Sequence, residues 1–145
     1  MRAGVRWLAA LLCAFNATAA LSHHSVAAYD LSRSVDTSGT VKEFFWTSPH
    51  SFLEMVVPTS SGGTDLWTIE TGTPNSNARA GWRKDSIKAG DRIQVTFIPS
   101  KDGSLHGLLR TLVLPDGKIL RGDGESLAKS VKPVDAAAND KPGSK

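Results

Sequence analysis

Four histidines are the residues of this sequence best suited to bind a ligand. His23 and His24 are adjacent near the N-terminus, His50 follows a proline, and His106 follows a glycine-containing turn. Imidazole nitrogens are common ligands of transition metals such as copper. A histidine pair in a flexible arm can also have no specific role, and one in a turn can simply cap a backbone carbonyl. The pattern therefore gives a metal-site hypothesis with these four ligands, His106 being the weakest, and indicates no catalytic residue.

The segment before the histidine pair has the pattern of a secretory signal peptide. Arg2 and Arg6 precede a short apolar stretch, 7–15, and small residues follow at 17–20. The apolar stretch is too short to span a bilayer. We expect residues 1–22 to contain the signal, with cleavage between 19 and 22, and a mature protein that is periplasmic or secreted. Cys13, the single cysteine, would leave with the signal, so the mature domain would fold without a disulfide.

The cleavage site decides which copper chemistry the histidine pair can perform. Cleavage after Ala20 leaves Leu21-Ser22-His23, whose free amine, two amides and imidazole can surround Cu(II) or Ni(II) in a square plane. Cleavage after Ser22 makes His23 the first residue, and its amine and imidazole can then hold copper together with a second histidine. Cleavage after Ala19 gives neither arrangement directly.

The apolar pattern beyond the pair predicts a small all-β domain with little helix. A polar arm over residues 23–38 comes first, and one short helix is expected at 75–82. Strands are predicted at Thr40–Trp46, Phe52–Val57, Leu66–Thr71, Arg92–Ile98 and Gly107–Leu114, and a turn at 115–117 leads into a returning strand at 118–120. This order favours a five- to six-stranded barrel of the oligonucleotide/oligosaccharide-binding (OB) type over residues 39–121, with an open β-sandwich as the alternative. Residues 122–145 are polar, lack aromatic side chains and are predicted to be disordered.

A second candidate site lies in the least regular segment, around Trp82. Trp46 and Trp67 fall in predicted strands, so we expect them to pack in the core. Trp82 can line a ligand pocket or cover one end of the barrel. Arg79 and Arg83 can meet an anionic ligand there, although charged residues in such a run usually face solvent.

The charge and the motifs restrict the classes of partner. The formal net charge is +3, and removal of Arg2 and Arg6 with the signal would leave +1. Such a weak charge is not typical of nucleic-acid binding, and no later stretch is apolar enough for a membrane span. The sequence contains no phosphate-binding loop, no Gly-x-Ser-x-Gly elbow and no His-Glu-x-x-His motif. We therefore expect a small ligand or a periplasmic protein as partner, with no nucleic acid and no membrane span.

The order of several short motifs resembles that of exported bacterial proteins catalogued as domain of unknown function 6152. The resemblance covers His23 to about Leu120, and the family usually has Asn at the position of Ser48. Serine there can still cap the turn. The resemblance implies a small periplasmic or secreted β domain and no established activity. The motifs are His23-His24-Ser25, Gly39-Thr40-Val41, Trp46-Thr47-Ser48-Pro49-His50, Gly81-Trp82, Gly90-Asp91 and Pro115-Asp116-Gly117.

Three hypotheses for the function follow. The leading one is a non-enzymatic periplasmic binding module that holds a transition metal through the histidines, with copper as the candidate metal. The second is a domain that binds a protein or a saccharide through the barrel face near Trp82, without metal. The third is a copper-dependent oxidoreductase that uses the same histidines and therefore requires redox cycling of the metal.

Overall fold

The computed structural model describes residues 26–130. The predicted signal peptide, His23, His24 and residues 131–145 lie outside the described residues. Within the described range the chain forms six strands, two α-helices and one turn of 3-10 helix. The turn is Val26–Ala28, and the other elements are β1 (Val35–Phe45), β2 (Ser51–Pro58), β3 (Thr64–Gly72), α1 (Pro74–Arg79), β4 (Arg92–Pro99), β5 (His106–Val113), β6 (Ile119–Arg121) and α2 (Asp123–Ser130).

Five of the strands close into a barrel. β1 pairs with both β2 and β4, β2 pairs with β3, and β4 pairs with β5, all antiparallel. A short parallel pairing of β3 with residues 106–108 of β5 closes the ring, and β6 pairs with residues 111–113 further along the same edge of β5. Closure leaves few bare strand edges. The predicted OB-like barrel is confirmed, including a short helix between β3 and β4.

The core forms because alternate residues of each strand point inward. On β2, Leu53 and Met55 are fully buried, and Phe97 on β4 is fully buried opposite β5. Gly107 on β5 faces the Phe97 ring, which occupies the space that a Cβ atom at residue 107 would need. Glycine at this position therefore lets β4 and β5 approach each other around an aromatic side chain.

The barrel begins earlier than the predicted boundary at residue 39. β1 starts at Val35, and residues 35–40 pair with Phe97 to Arg92 of β4. The local sequence there is polar and alternates weakly, so only the distant partner strand reveals the element. α1 also ends before the predicted residue 82. The chain leaves the helix after Arg79, and Gly81 adopts a left-handed conformation with φ of 87°.

The prediction of disorder after residue 121 is wrong for residues 123–130, which form α2. Gly122 and Gly124 lie so close to the Leu109 carbonyl that a Cβ at either would collide with it. Glu125 of α2 then binds Arg110 of β5, with a distance of 3.2 Å between Arg110 Nη2 and Glu125 Oε2. Close backbone packing and one ion pair thus stabilise a helix that composition alone does not predict. No helix within residues 26–130 is long and apolar enough to cross a membrane.

Candidate functional site

His50 lies in the loop that joins β1 to β2, immediately before β2 begins. The loop turns at a cis peptide bond between Ser48 and Pro49. The His50 side chain is 23% exposed, and its Nδ1 lies 2.5 Å from Oε1 of Glu70. The carboxylate therefore holds the ring in one orientation at the end of the barrel.

Glu70 occupies an outward position near the end of β3. It follows Ile69, which points into the core, and it pairs across the sheet with Phe52 of β2. The Glu70 side chain is only 11% exposed, although it carries an acid group. Buried carboxylates are tolerated where their oxygens have partners. Both oxygens of Glu70 meet this requirement, since Oε1 faces His50 and Oε2 accepts a hydrogen bond from the Tyr29 hydroxyl at 3.0 Å.

Tyr29 belongs to the segment 26–30, which we call the docked arm. Two backbone hydrogen bonds attach this arm to the end of β4 and to the turn that follows it. The Asp30 amide donates to the Pro99 carbonyl, and the Lys101 amide donates to the Ala28 carbonyl, each at 2.9 Å. The hydrogen bond from Tyr29 to Glu70 is a third attachment. The N-terminal arm therefore folds back onto the same edge of the barrel that carries His50.

Burial raises the pKa of Tyr29 well above its ordinary value, and the negative charge and the hydrogen bond of Glu70 raise it further. The phenol consequently remains protonated, and so able to donate, at all physiological pH values. Tyr29 is the only tyrosine of the chain. Its titration can therefore be followed without interference from other tyrosines.

The Glu70 carboxylate also fixes how the two ring nitrogens of His50 are directed. Nδ1 faces this carboxylate, and Nε2 lies on the other side of the ring. Metal-binding histidines commonly have this arrangement, in which a carboxylate orients the ring and raises its basicity. His50 thus has the surroundings of a metal ligand or a general base.

The fourth histidine lies apart from this cluster. His106 is exposed at the start of β5, in register with Thr68. Within residues 26–130, no group of three or more histidine, cysteine, aspartate or glutamate side chains comes close enough to hold a metal. A metal site that includes His50 would need donors from outside the described residues.

The structure buries Trp82 in the hydrophobic core. Its side chain is 2% exposed, packs at 5.7 Å between ring centroids against Phe44, and donates from Nε1 to the Arg121 carbonyl. Trp82 thus packs in the core, and Arg79 and Arg83 lie exposed on the surface. Ligand binding by these three residues stays a prediction. The expected packing of Trp46 and Trp67 against the core is confirmed.

A shallow apolar cleft lies beside Glu70, on the outer face of β1, β2 and β3. It has a volume of about 270 Å³ and is lined by Phe45, Phe52, Glu54 and Thr68. Phe45 and Phe52 pair directly across neighbouring strands. Sequence reasoning missed this cleft and also the roles of Tyr29 and Glu70. The one sequence feature that indicates a role for Tyr29 is that it is an aromatic residue in an otherwise polar arm.

Comparison with known proteins gives a family and a distant fold likeness. The chain belongs to the family of unknown function DUF6152, whose model matches residues 10–110. No curated protein matches significantly. A similar solved structure is the mitochondrial single-stranded DNA binding protein Rim1 of S. cerevisiae, with 13% identity and a TM-score of 0.45 over 57% of this chain and 93% of that one. The absence of nucleic-acid binding in the present chain stays a prediction.

Proposed function

We propose that this member of the DUF6152 family is an exported, non-enzymatic module that binds a transition metal, with copper as the first metal to test. The proposed ligands are His50 and the histidine pair His23 and His24. The observation that supports this proposal most is the chain of contacts from Tyr29 through Glu70 to His50. This chain joins the N-terminal arm to the best-oriented histidine of the barrel.

The chemistry of His50 suits a metal ligand. Nδ1 faces a buried carboxylate, which is the arrangement in which metal-binding histidines commonly hold their ring. The neutral imidazole is a good ligand for copper, nickel and zinc, and copper forms the most stable complexes among them. One imidazole alone binds weakly, so further nitrogen donors are required.

The histidine pair can supply those donors because the arm is docked. His23 precedes Tyr29 by six residues, a length of chain that spans at most about 20 Å. The hydrogen bond from Tyr29 to Glu70 thus keeps the pair within reach of the edge that carries His50. Removal of a signal peptide after Ser22 would place a free amine on His23 and complete a nitrogen-rich set with the barrel histidine, whereas removal after Ala20 would give the square-planar set of the Leu21 amine, two amides and His23.

The test is the Cu(II) affinity of the exported protein, measured by competition with a chelator of known affinity. We expect one tight site in the wild type, and a loss of roughly tenfold or more in His50→Ala and in the double variant His23→Ala/His24→Ala. His106→Ala is the matched control and should retain the wild-type affinity. An unchanged affinity in the double variant would overturn the proposal.

A second candidate function is the binding of a protein or a saccharide at the cleft of Phe45 and Phe52. The observation in its favour is a pair of partly exposed aromatic rings on the outer face of the barrel, where most apolar side chains point inward. Phe45→Ser should abolish capture of such a partner from periplasmic extract, and the variant lacking His23 and His24 should retain it. Capture that is lost only in the histidine variant would contradict this second function.

The third hypothesis, copper-dependent oxidation, has no separate structural support and depends on the same histidines. Redox cycling of the bound copper with ascorbate and oxygen would distinguish it from simple metal binding. A bound copper ion that is silent toward both would leave the binding module as the better account.

A further inference from the structure

We propose that Glu70 is a shared acceptor that couples His50 to the docked arm, and that Tyr29 is the residue that positions this arm. The inference deepens the proposed function and rests on it, because a metal held between the arm and the barrel requires that the arm and His50 keep fixed positions. Its test uses no metal, so the two ideas can fail separately.

The geometry of Glu70 carries the inference. Tyr29 and His50 come from parts of the chain that are 41 and 20 residues distant from Glu70, and each faces a different oxygen of the same carboxylate. The carboxylate is almost buried, so an oxygen without a donor would be costly. Tyr29 and His50 therefore each hold the Glu70 side chain in the orientation that the other residue also contacts.

Coupling follows from this shared restriction. Ordering a side chain costs conformational entropy, and a second contact to a group that is already ordered costs less. His50 holds Oε1, so Tyr29 meets a carboxylate that is already oriented toward it. The bond between Tyr29 and Glu70 should consequently be stronger when His50 is present, and the reverse must hold by linkage.

The remaining attachments of the arm supply an independent reporter. The amide of Lys101 donates to the Ala28 carbonyl, a contact that involves neither Glu70 nor His50. This amide is protected from hydrogen exchange only while the arm is docked, whereas Val41, whose amide donates to the Asp91 carbonyl, reports on the barrel itself. Comparison of the two amides separates undocking of the arm from loss of the whole fold.

The experiment is a double-mutant cycle on the full chain, with Tyr29→Phe and His50→Ala alone and together, read by amide exchange. Tyr29→Phe should speed exchange at Lys101 roughly three- to tenfold, the loss expected for one partly exposed hydrogen bond to a charged acceptor. Val41 should be unaffected. In the His50→Ala background the same substitution should have a clearly smaller effect at Lys101. His106→Ala is the matched control background and should leave the effect of Tyr29→Phe at its wild-type size.

The outcomes are distinct. An equal effect of Tyr29→Phe with and without His50 would overturn the coupling, and so would equal acceleration at Lys101 and Val41, since the loss would then be global. If the cycle shows coupling in a protein that does not bind copper, the inference stands and the proposed function falls. If copper binds but the cycle is additive, the metal site stands and the shared role of Glu70 falls.

Discussion

Alkaline pH should weaken the fold in part through Tyr29. The surroundings of its hydroxyl favour the neutral phenol, because the ring is half-buried and the hydroxyl faces the negative Glu70. In the unfolded chain the phenol ionises near pH 10, while in the folded chain it stays protonated. Above pH 10 the folded state therefore binds more protons than the unfolded state. The stability that Tyr29 supplies is complete below pH 10 and is lost as the pH rises above it.

The size of the loss follows from proton linkage. One proton corresponds to about 1.4 kcal/mol of unfolding free energy per pH unit. Because the ring is partly exposed, solvent screening reduces the effect, and we expect a loss of about 1 kcal/mol between pH 10 and pH 11. Lysine side chains also titrate in this range, so the relevant quantity is the difference between the wild type and Tyr29→Phe, which has no phenol hydroxyl.

Two assays measure this prediction. Urea unfolding followed by tryptophan fluorescence gives the free energy of unfolding at each pH, and ultraviolet absorbance gives the titration of the only tyrosine. In Glu70→Gln the negative charge is absent, so the pKa of Tyr29 should fall toward its ordinary value. A wild-type tyrosine that titrates near pH 10, or equal pH dependence in wild type and Tyr29→Phe, would refute the reasoning.

Two further predictions concern packing and a surface turn. Gly107→Ala should reduce the free energy of unfolding by roughly 1–3 kcal/mol in urea, because the new methyl group would collide with the Phe97 ring. Gly63→Ala, in an exposed turn, is the control, and equal losses in the two variants would contradict the packing argument. The hydroxyl of Ser104 donates to Asp102 and is the main reason why the pKa of that carboxylate is lowered to about 2. Ser104→Ala should raise this pKa, which NMR can follow. The free energy of unfolding falls as the pH drops toward 2, and in this variant the fall should begin at a higher pH. An unchanged titration midpoint of Asp102 would contradict this prediction.

The barrel was predictable from the sequence because each core strand carries its own alternating pattern. β4 illustrates this well, since Ile93, Val95 and Phe97 alternate with polar residues and are all buried in the structure. The start of β1 was not predictable in the same way. Its first residues are polar, and they are a strand only because β4 supplies their hydrogen-bond partners.

The candidate site was predictable only in part, for a related reason. His50 is recognisable as a histidine at a bend between strands, but the local sequence does not reveal what faces its ring. Glu70 is one of three glutamates on strands, and only the register of β3 beside β2 and the return of the arm bring it to both His50 and Tyr29. Contacts between residues this far apart along the chain come from topology, which local patterns do not encode.

The intact mass of the protein exported to the periplasm, recorded under native conditions with and without Cu(II), tests the central claim most directly. One spectrum reports both where the mature chain begins and how many copper ions it holds. We predict a chain that begins at Leu21 or His23 and binds a single copper ion tightly. A chain that begins elsewhere, or one that takes up several copper ions weakly, would contradict the metal site.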